Sequence, residues 1–198
     1  MTDNGFKSFG IRVRQDRQQD DFYETDPFAV KKLIEKLAEN YIPIPATIID
    51  SSVGRGSIAK VFEDTGRKVI GYDIVDRGWQ GTILKDYRFV TERCVPKHET
   101  IMIVENPPFK HSQQFIENGL NNILRKGEYL CSLQRIQFLE SKSRKSLFNE
   151  YPPKFVFIFS ERIKCEKDGI KSKNGSMMCY AWFVWEKGYH GNTILKWI

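Results

Sequence analysis

Apolar and polar positions alternate along the chain in blocks that predict strands and helices in turn. Short continuous apolar runs, typical of strands buried in a sheet, lie at 46–50, 68–74, 101–105, 127–133, 154–160, 180–186 and 193–198. Apolar residues at helical spacing predict helices over 28–37, 58–65 and 112–124. This order predicts an α/β fold of three layers, in which helices cover both faces of a mostly parallel, seven-stranded sheet that ends in an antiparallel C-terminal hairpin.

Length and composition favour one domain without membrane association. The 198 residues and 23.2 kDa suit a single domain over 21–198 that buries about 70% of its unfolded surface. Residues 1–20 have few large apolar side chains, so we expect a flexible arm. The stretch 162–178 is rich in lysine and glycine and predicts a mobile basic loop that contacts nucleic acid, or plain disorder. The apolar runs are too short to cross a bilayer and the first twenty residues lack a signal-peptide core, which favours a cytoplasmic protein.

Charge and cysteine content narrow the choice of partners. The net charge is +6, and residues 1–100 carry 16 basic against 16 acidic side chains, whereas 101–198 carry 15 against 9. A basic second half suits a polyanion such as nucleic acid. The four cysteines form no Cys-x-x-Cys pair and the three histidines fit no metal-ligand spacing, so we expect unpaired thiols and no metal site.

The most informative stretch is the apolar run that stops at Asn106-Pro107-Pro108-Phe109. Proline cannot donate a ladder hydrogen bond and restricts the residue before it, so the run must end there as a rigid corner. Ligands of open α/β sheets bind at that carboxyl edge. The Asn106 side-chain oxygen and the Pro107 carbonyl could accept the two hydrogens of a planar amine such as adenine N6. Phe109 offers a face on which an extruded base could stack.

A second candidate feature is the turn between the first strand and the next helix. Gly54 and Gly56 lack side chains that would keep a ligand away from the backbone, and the helix start offers free N–H groups. Asp73 ends the following strand, where its two oxygens could bind ribose hydroxyls. The same spacing satisfies the fingerprint of a nicotinamide-binding unit. Both interpretations place an adenosine here, and the corner at Asn106 favours methyl transfer over hydride transfer.

Asn-Pro-Pro-Phe resembles the catalytic motif of amino-methyltransferases that use S-adenosylmethionine, above all those that act on adenine N6. From residue 21 to 198 the chain is similar to small phage and prophage members of that family. The resemblance implies a Rossmann-like class I methyltransferase fold with a catalytic corner of Asn106, Pro107, Pro108 and Phe109. It implies cofactor contacts at Tyr23, Thr25, Asp50, Ser52, Gly54, Gly56, Asp73, Ile74, Asp86, Tyr87 and Asn106. The chain departs from the family pattern at Asp26, inserted before Pro27, and at Ser51-Ser52-Val53.

The resemblance implies transfer of a methyl group from S-adenosylmethionine to adenine N6 in DNA, with the target base flipped out of the duplex. Two alternatives stay open from the residues alone. One is methylation of another planar nitrogen, in RNA adenine or protein glutamine. The other is a non-catalytic protein that keeps the fold to bind DNA or a partner.

Overall fold

The computed structural model describes residues 23–163, the backbone of 166–167, and residues 178–198. The predicted arm at 1–20 and most of the predicted basic loop at 162–178 lie outside the described residues. The strands are β1 (Tyr23–Glu24), β2 (Thr47–Asp50), β3 (Lys68–Asp73), β4 (Ile83–Leu84), β5 (Ile101–Glu105), β6 (Tyr129–Arg135), β7 (Phe155–Ile158), β8 (Glu166–Lys167), β9 (Tyr180–Glu186) and β10 (Ile194–Trp197). The helices are α1 (Pro27–Glu39), α2 (Ser57–Glu63), α3 (Ser112–Asn118) and α4 (Lys145–Glu150).

In the described part of the chain, eight strands form one sheet in the order β10-β7-β9-β6-β5-β2-β3-β4. Strand β9 runs antiparallel to both of its neighbours, and the other pairs are parallel. Strands β1 and β8 form a separate antiparallel ribbon, in which Tyr23 pairs with Lys167. The predicted α/β class with a mostly parallel sheet is confirmed, with eight strands where the sequence predicted seven.

The predicted C-terminal hairpin is wrong in its pairing. Strand β9 already pairs on one side with β6 over seven residues and on the other side with β7. Both of its edges are therefore used, and β10 adds instead to the other edge of β7, where it pairs in parallel. The closeness of β9 and β10 in sequence suggested a hairpin, but β10 pairs with β7 because β9 has no free edge.

The helices cover both faces of the sheet, which gives the three layers that the sequence predicted. Helices α1 and α2 share one buried cluster with Ile48, Val104 and Trp182, whereas α3 and α4 share another with Ile103 and Phe183. The N-terminal end of α1 is capped as the sequence predicted, because the Asp26 carboxylate accepts the Phe28 N–H at 2.9 Å and Pro27 occupies the first turn.

The helix predicted over 112–124 changes character at its middle. Helix α3 ends at Asn118 and continues as one π-helical turn, Gly119–Ile123. At Gly119 the helix lies directly on β6, because a β-carbon there would stand 2.6 Å from Leu130 Cδ1. None of the helices in the described residues is long and apolar enough to cross a membrane.

Candidate active site

A cavity of about 240 Å³ lies at the carboxyl ends of β2, β3 and β5. It brings together most of the residues that the sequence singled out. Those that line it are Tyr23, Thr25, Asp50, Ser52, Asp73, Ile74, Asp86, Tyr87, Asn106, Pro107, Pro108 and Phe109. Gly54 and Gly56 are not among the lining residues. The corner at Asn106 and the turn after β2 therefore face one hollow, as expected for ligands of parallel sheets.

The Asn106 side chain has a fixed orientation. Its Nδ2 donates to the Tyr23 carbonyl oxygen and to Thr25 Oγ1, both at 3.0 Å. A carbonyl oxygen can only accept, so the amide nitrogen must face Tyr23 and the amide cannot be flipped. With both hydrogens engaged, Oδ1 is the polar atom that Asn106 can offer to a ligand. The backbone carbonyl of Asn106 is itself held by Ser52, whose Oγ donates to it at 3.0 Å.

Phe109 lies in a small aromatic cluster beside this corner. Its ring centroid is 5.7 Å from that of Tyr23 and 6.2 Å from that of Tyr180. The guanidinium of Arg135 lies over the ring, with Cζ 4.3 Å from the centroid. One face of Phe109 is therefore covered by a cation, a contact that the sequence did not indicate because Arg135 lies on the next strand.

The turn after β2 holds Asp73 through the backbone. The N–H of Gly54 donates to Asp73 Oδ2 at 2.9 Å, and the N–H of Val75 donates to Oδ1 at 3.1 Å. These two bonds fix the orientation of the Asp73 carboxylate, and each oxygen keeps a lone pair for a further hydrogen-bond donor. Asp73 thus lies where the sequence predicted, at the end of β3 and at the wall of the cavity.

Gly56 has a different neighbour from the one predicted. We expected its missing side chain to admit a ligand, but a β-carbon at Gly56 would stand 2.1 Å from Trp79 Cδ1. The indole of Trp79 also packs against Gly71, where a β-carbon would be 2.6 Å away. The interpretation of Gly56 as a ligand-facing position is therefore corrected: a tryptophan fills the space. Its φ of +80° in addition favours glycine.

Two buried carboxyl groups lie under the cavity. Glu105 is fully buried and accepts from Ser51 Oγ at 2.6 Å and from Ser132 Oγ at 2.9 Å. Burial raises the pKa of Glu105 to about 7, although these two hydrogen bonds oppose the rise. Asp50 is also fully buried, and its Oδ2 has no partner among the described residues. Burial raises the pKa of Asp50 to about 8, opposed by the Ser52 N–H that donates to Oδ1.

Asp86 lines the cavity but already has a strong partner. Arg88 donates from Nε to both of its carboxylate oxygens and from Nη2 to Oδ2, and the Arg88 N–H caps Oδ1. These bonds, above all those from the Arg88 side chain, hold the pKa of the Asp86 carboxyl below its usual value. Tyr87, the next residue, is buried and lies 5.4 Å from Phe115, ring to ring.

The sequence did not predict the basic side chains around the cavity. Those that line it are Arg55, Arg77, Lys85 and Arg88, with His111 beside them. Arg55 lies 3.6 Å from Glu24, and Arg88 contacts His111 Nδ1 at 3.4 Å. No periodic or motif signal marks such residues, because they come from loops and a short 3₁₀ helix that only the fold brings to one rim. Only for His111 did the sequence position suggest a place at the cavity, because it follows Phe109 by two residues.

Comparisons with known proteins support the fold. No family model and no curated protein matches the chain. A protein from Listeria monocytogenes described as a class I S-adenosylmethionine-dependent methyltransferase has a TM-score of 0.55 at 14% identity, over 87% of this chain and 64% of that one. One from Pyrococcus horikoshii described as an RNA methyltransferase has a TM-score of 0.58 at 11% identity, over 83% and 86%.

A third solved structure is described as the modification subunit of a type I restriction enzyme from Vibrio vulnificus. It has a TM-score of 0.58 at 12% identity, and the match covers 86% of this chain but less than half, 45%, of that one. The chain therefore has the Rossmann-like fold of class I methyltransferases. Because these neighbours carry different descriptions, the fold by itself does not select a methyl acceptor.

We expect the replacement Gly56→Ala to destabilise the protein by about 2–4 kcal/mol, because the new methyl group collides with Trp79 and the residue keeps a positive φ. Gly66→Ala is the matched control, since its φ is +77° but a β-carbon there would have no atom within 4 Å. That change should cost about 1 kcal/mol. Urea denaturation measures both. Equal losses would show that Trp79 yields freely at Gly56.

Asp50 should make the protein less stable as pH rises. Its pKa is about 8 in the folded state against 3.8 as the reference value, so the folded protein binds more protons than the unfolded chain between these values and loses stability toward pH 8. Asp50→Asn removes this loss. At pH 8.5 we expect the free energy of unfolding of the variant to be higher than that of the wild type by at least about 1.4 kcal/mol, the equivalent of one pKa unit. Near pH 4 the two free energies should be equal. Denaturant titrations at both pH values test this, and parallel pH curves for the two proteins would contradict it.

Proposed function

We propose that this protein transfers a methyl group from S-adenosylmethionine to the N6 amino group of adenine in DNA. The observation that carries the proposal is the fixed Asn106 amide, whose engaged Nδ2 leaves Oδ1 as an acceptor in the same cavity as Asp73. The class I methyltransferase fold supports the reaction class. The Asn-Pro-Pro-Phe resemblance supports adenine N6 as the acceptor.

The residues of the cavity fit S-adenosylmethionine. Asp50 has a fully buried carboxylate oxygen without a partner among the described residues. A buried acid of this kind suits a ligand that brings positive charge, as the methionine part of this cofactor does. Asp73 keeps lone pairs for ribose hydroxyls, and the exposed side chain of Ile74 at the cavity wall suits the flat face of an adenine. The bound cofactor supplies an electrophilic methyl group on a sulfonium.

The acceptor amine would lie at the Asn106 corner. Adenine N6 is a weak nucleophile because its lone pair is delocalised into the ring. Asn106 Oδ1 and the Pro107 carbonyl can accept its two hydrogens, which draws the nitrogen toward tetrahedral geometry and localises its lone pair. The Asn106 amide is held in place before the substrate arrives, by the two bonds of its Nδ2, so the rate enhancement would come from positioning and oriented dipoles. A base reaches such a corner by leaving the duplex, and Phe109 with its aromatic neighbours offers stacking surface.

A nucleic acid as the acceptor is supported by the basic excess of the second half, which suits a polyanion. Solved structures with the same fold include both a modification subunit of a type I restriction enzyme and an RNA methyltransferase, so the choice of DNA rests on the Asn-Pro-Pro-Phe resemblance. RNA adenine, protein glutamine and a role in binding without catalysis are the outcomes against which the proposal is tested.

The replacement Asn106→Ala should lower methyl transfer at least about a thousandfold, because it removes an acceptor used in the transition state. Cofactor affinity should change less than about threefold. Transfer is measured as tritiated methyl incorporated into DNA, RNA and protein in separate reactions, and affinity by calorimetry with S-adenosylhomocysteine. Incorporation into RNA or protein alone would redirect the proposal to that acceptor. Loss of cofactor binding in parallel with transfer would contradict the role given to Asn106.

Binding of S-adenosylmethionine should release protons through Asp50. Near pH 7 the raised pKa keeps this carboxyl largely protonated, and a nearby positive charge favours the carboxylate, so affinity should increase as pH rises toward 8. Calorimetry in buffers of different ionisation enthalpy counts the protons. The control is Asp50→Asn. Protons that the ligand itself releases are the same for both proteins, so the difference in proton release between wild type and variant reports on Asp50. Equal proton release in both would place the positive charge away from Asp50.

A further inference from the structure

Arg135 occupies a position next to the catalytic corner that the proposed reaction does not yet use. It is the last residue of β6 and follows a buried stretch of that strand. Strand β6 pairs with β5, where Ser132 lies opposite Glu105. Arg135 itself pairs with Tyr180 on β9, and the chain then turns into a short 3₁₀ helix, Ile136–Leu139. Its guanidinium reaches the Phe109 ring at 4.3 Å.

The side chain of Arg135 is not satisfied by the described residues. Its Nε is buried and has no hydrogen-bond acceptor among them. Arg144 shows what a structural arginine looks like here: it also lies over an aromatic ring, Phe138 at 4.6 Å, but it donates to the carbonyls of Phe138, Gln137 and Glu140. An arginine that is desolvated against a ring with its Nε unpaired carries a cost. A ligand that brings an acceptor would recover that cost.

The position of Arg135 indicates which part of a ligand it meets. Phe109 lines the cavity, whereas Arg135 does not line it and lies against Phe109. A base held at the Asn106 corner would be inside the cavity, and the sugar-phosphate to which it is attached would be outside. A planar guanidinium with five donors matches the geometry of a phosphate and prefers it to neutral acceptors.

We propose that Arg135 binds the phosphate next to the target nucleotide and thereby restricts the acceptor to nucleic acid. This inference rests on the proposed function, because it takes the Asn106 corner as the place of the target base. It goes beyond that function by naming the residue that selects the substrate class. In this proposal Arg135 binds the substrate, and its replacement should leave the affinity for the cofactor unchanged.

The test measures binding of a fluorescent single-stranded 12-nucleotide DNA with one central adenine, by anisotropy in the presence of S-adenosylhomocysteine. Arg135→Ala should weaken binding about tenfold or more and reduce the salt dependence by about one charge contact. Arg135→Lys should recover part of the loss, because it keeps the charge but not the fork. An RNA of the same sequence, measured in parallel, tells which nucleic acid supplies the phosphate.

A modified ligand makes the test specific for one contact. A methylphosphonate beside the adenine removes the phosphate charge, so it should weaken binding by the wild type and have little further effect on Arg135→Ala. Lys126→Ala is the matched control: it removes one exposed positive charge ahead of β6, at the opposite end of that strand, and should change affinity less than twofold. Arg135→Met, which keeps an apolar contact with Phe109, replaces the alanine variant if that one does not fold.

The outcomes separate the two proposals. Unchanged oligonucleotide affinity and salt dependence in a folded Arg135 variant would overturn the role of Arg135 even if DNA is methylated. Binding of cofactor without binding of either oligonucleotide would overturn it too, and would send the search for an acceptor away from nucleic acid. Failure of the wild type to bind S-adenosylhomocysteine, with Arg135-dependent oligonucleotide binding intact, would overturn the methyl-transfer function alone.

Discussion

The geometry of the site depends on the amide of Asn106, which is held from a segment far away in the chain. The Tyr23 carbonyl and the Thr25 hydroxyl take both of its hydrogens. Tyr23 in turn pairs with Lys167 through the backbone, and Asp26 caps α1 directly after Thr25. The short segment that precedes α1 therefore decides which atom of Asn106 can face a ligand. Without it the amide could rotate, and a donor could stand where an acceptor is needed.

Beneath this corner, a buried carboxylate joins three strand ends. Glu105 at the end of β5 accepts from Ser51, which follows β2, and from Ser132 within β6. Burial of an acid is costly unless its oxygens are hydrogen-bonded, and here both are. Asp50, one residue before Ser51, is buried as deeply but keeps one oxygen without a partner among the described residues. Glu105 thus links neighbouring strands, whereas Asp50 keeps an oxygen to which a cationic ligand could bind.

Local signals predicted the features that a single element encodes. Strand β5 and the corner after it could be located from an apolar run and two prolines, and the α1 cap from Asp26 and Pro27. Contacts between distant segments could not be predicted in this way. Trp79 lies 23 positions beyond Gly56, so nothing near the glycine showed that an indole fills its space. The pairing of β10 with β7 likewise depends on which sheet edge is free, a property of the whole fold.

The departure of the turn after β2 from the family pattern has a physical explanation in these contacts. The chain has Ser51 and Ser52 in this turn, and each serine hydroxyl reaches the end of β5 or the residue after it: Ser51 donates to the Glu105 carboxylate and Ser52 to the Asn106 carbonyl. These two bonds each span 54 positions of sequence and connect the turn after β2 to the end of β5 and the corner at Asn106. A change in the turn after β2 would then alter the geometry of the corner at Asn106, and the reverse also holds. The serines are thus better understood as partners of the buried glutamate at position 105 and of the Asn106 backbone than as a weakened cofactor motif.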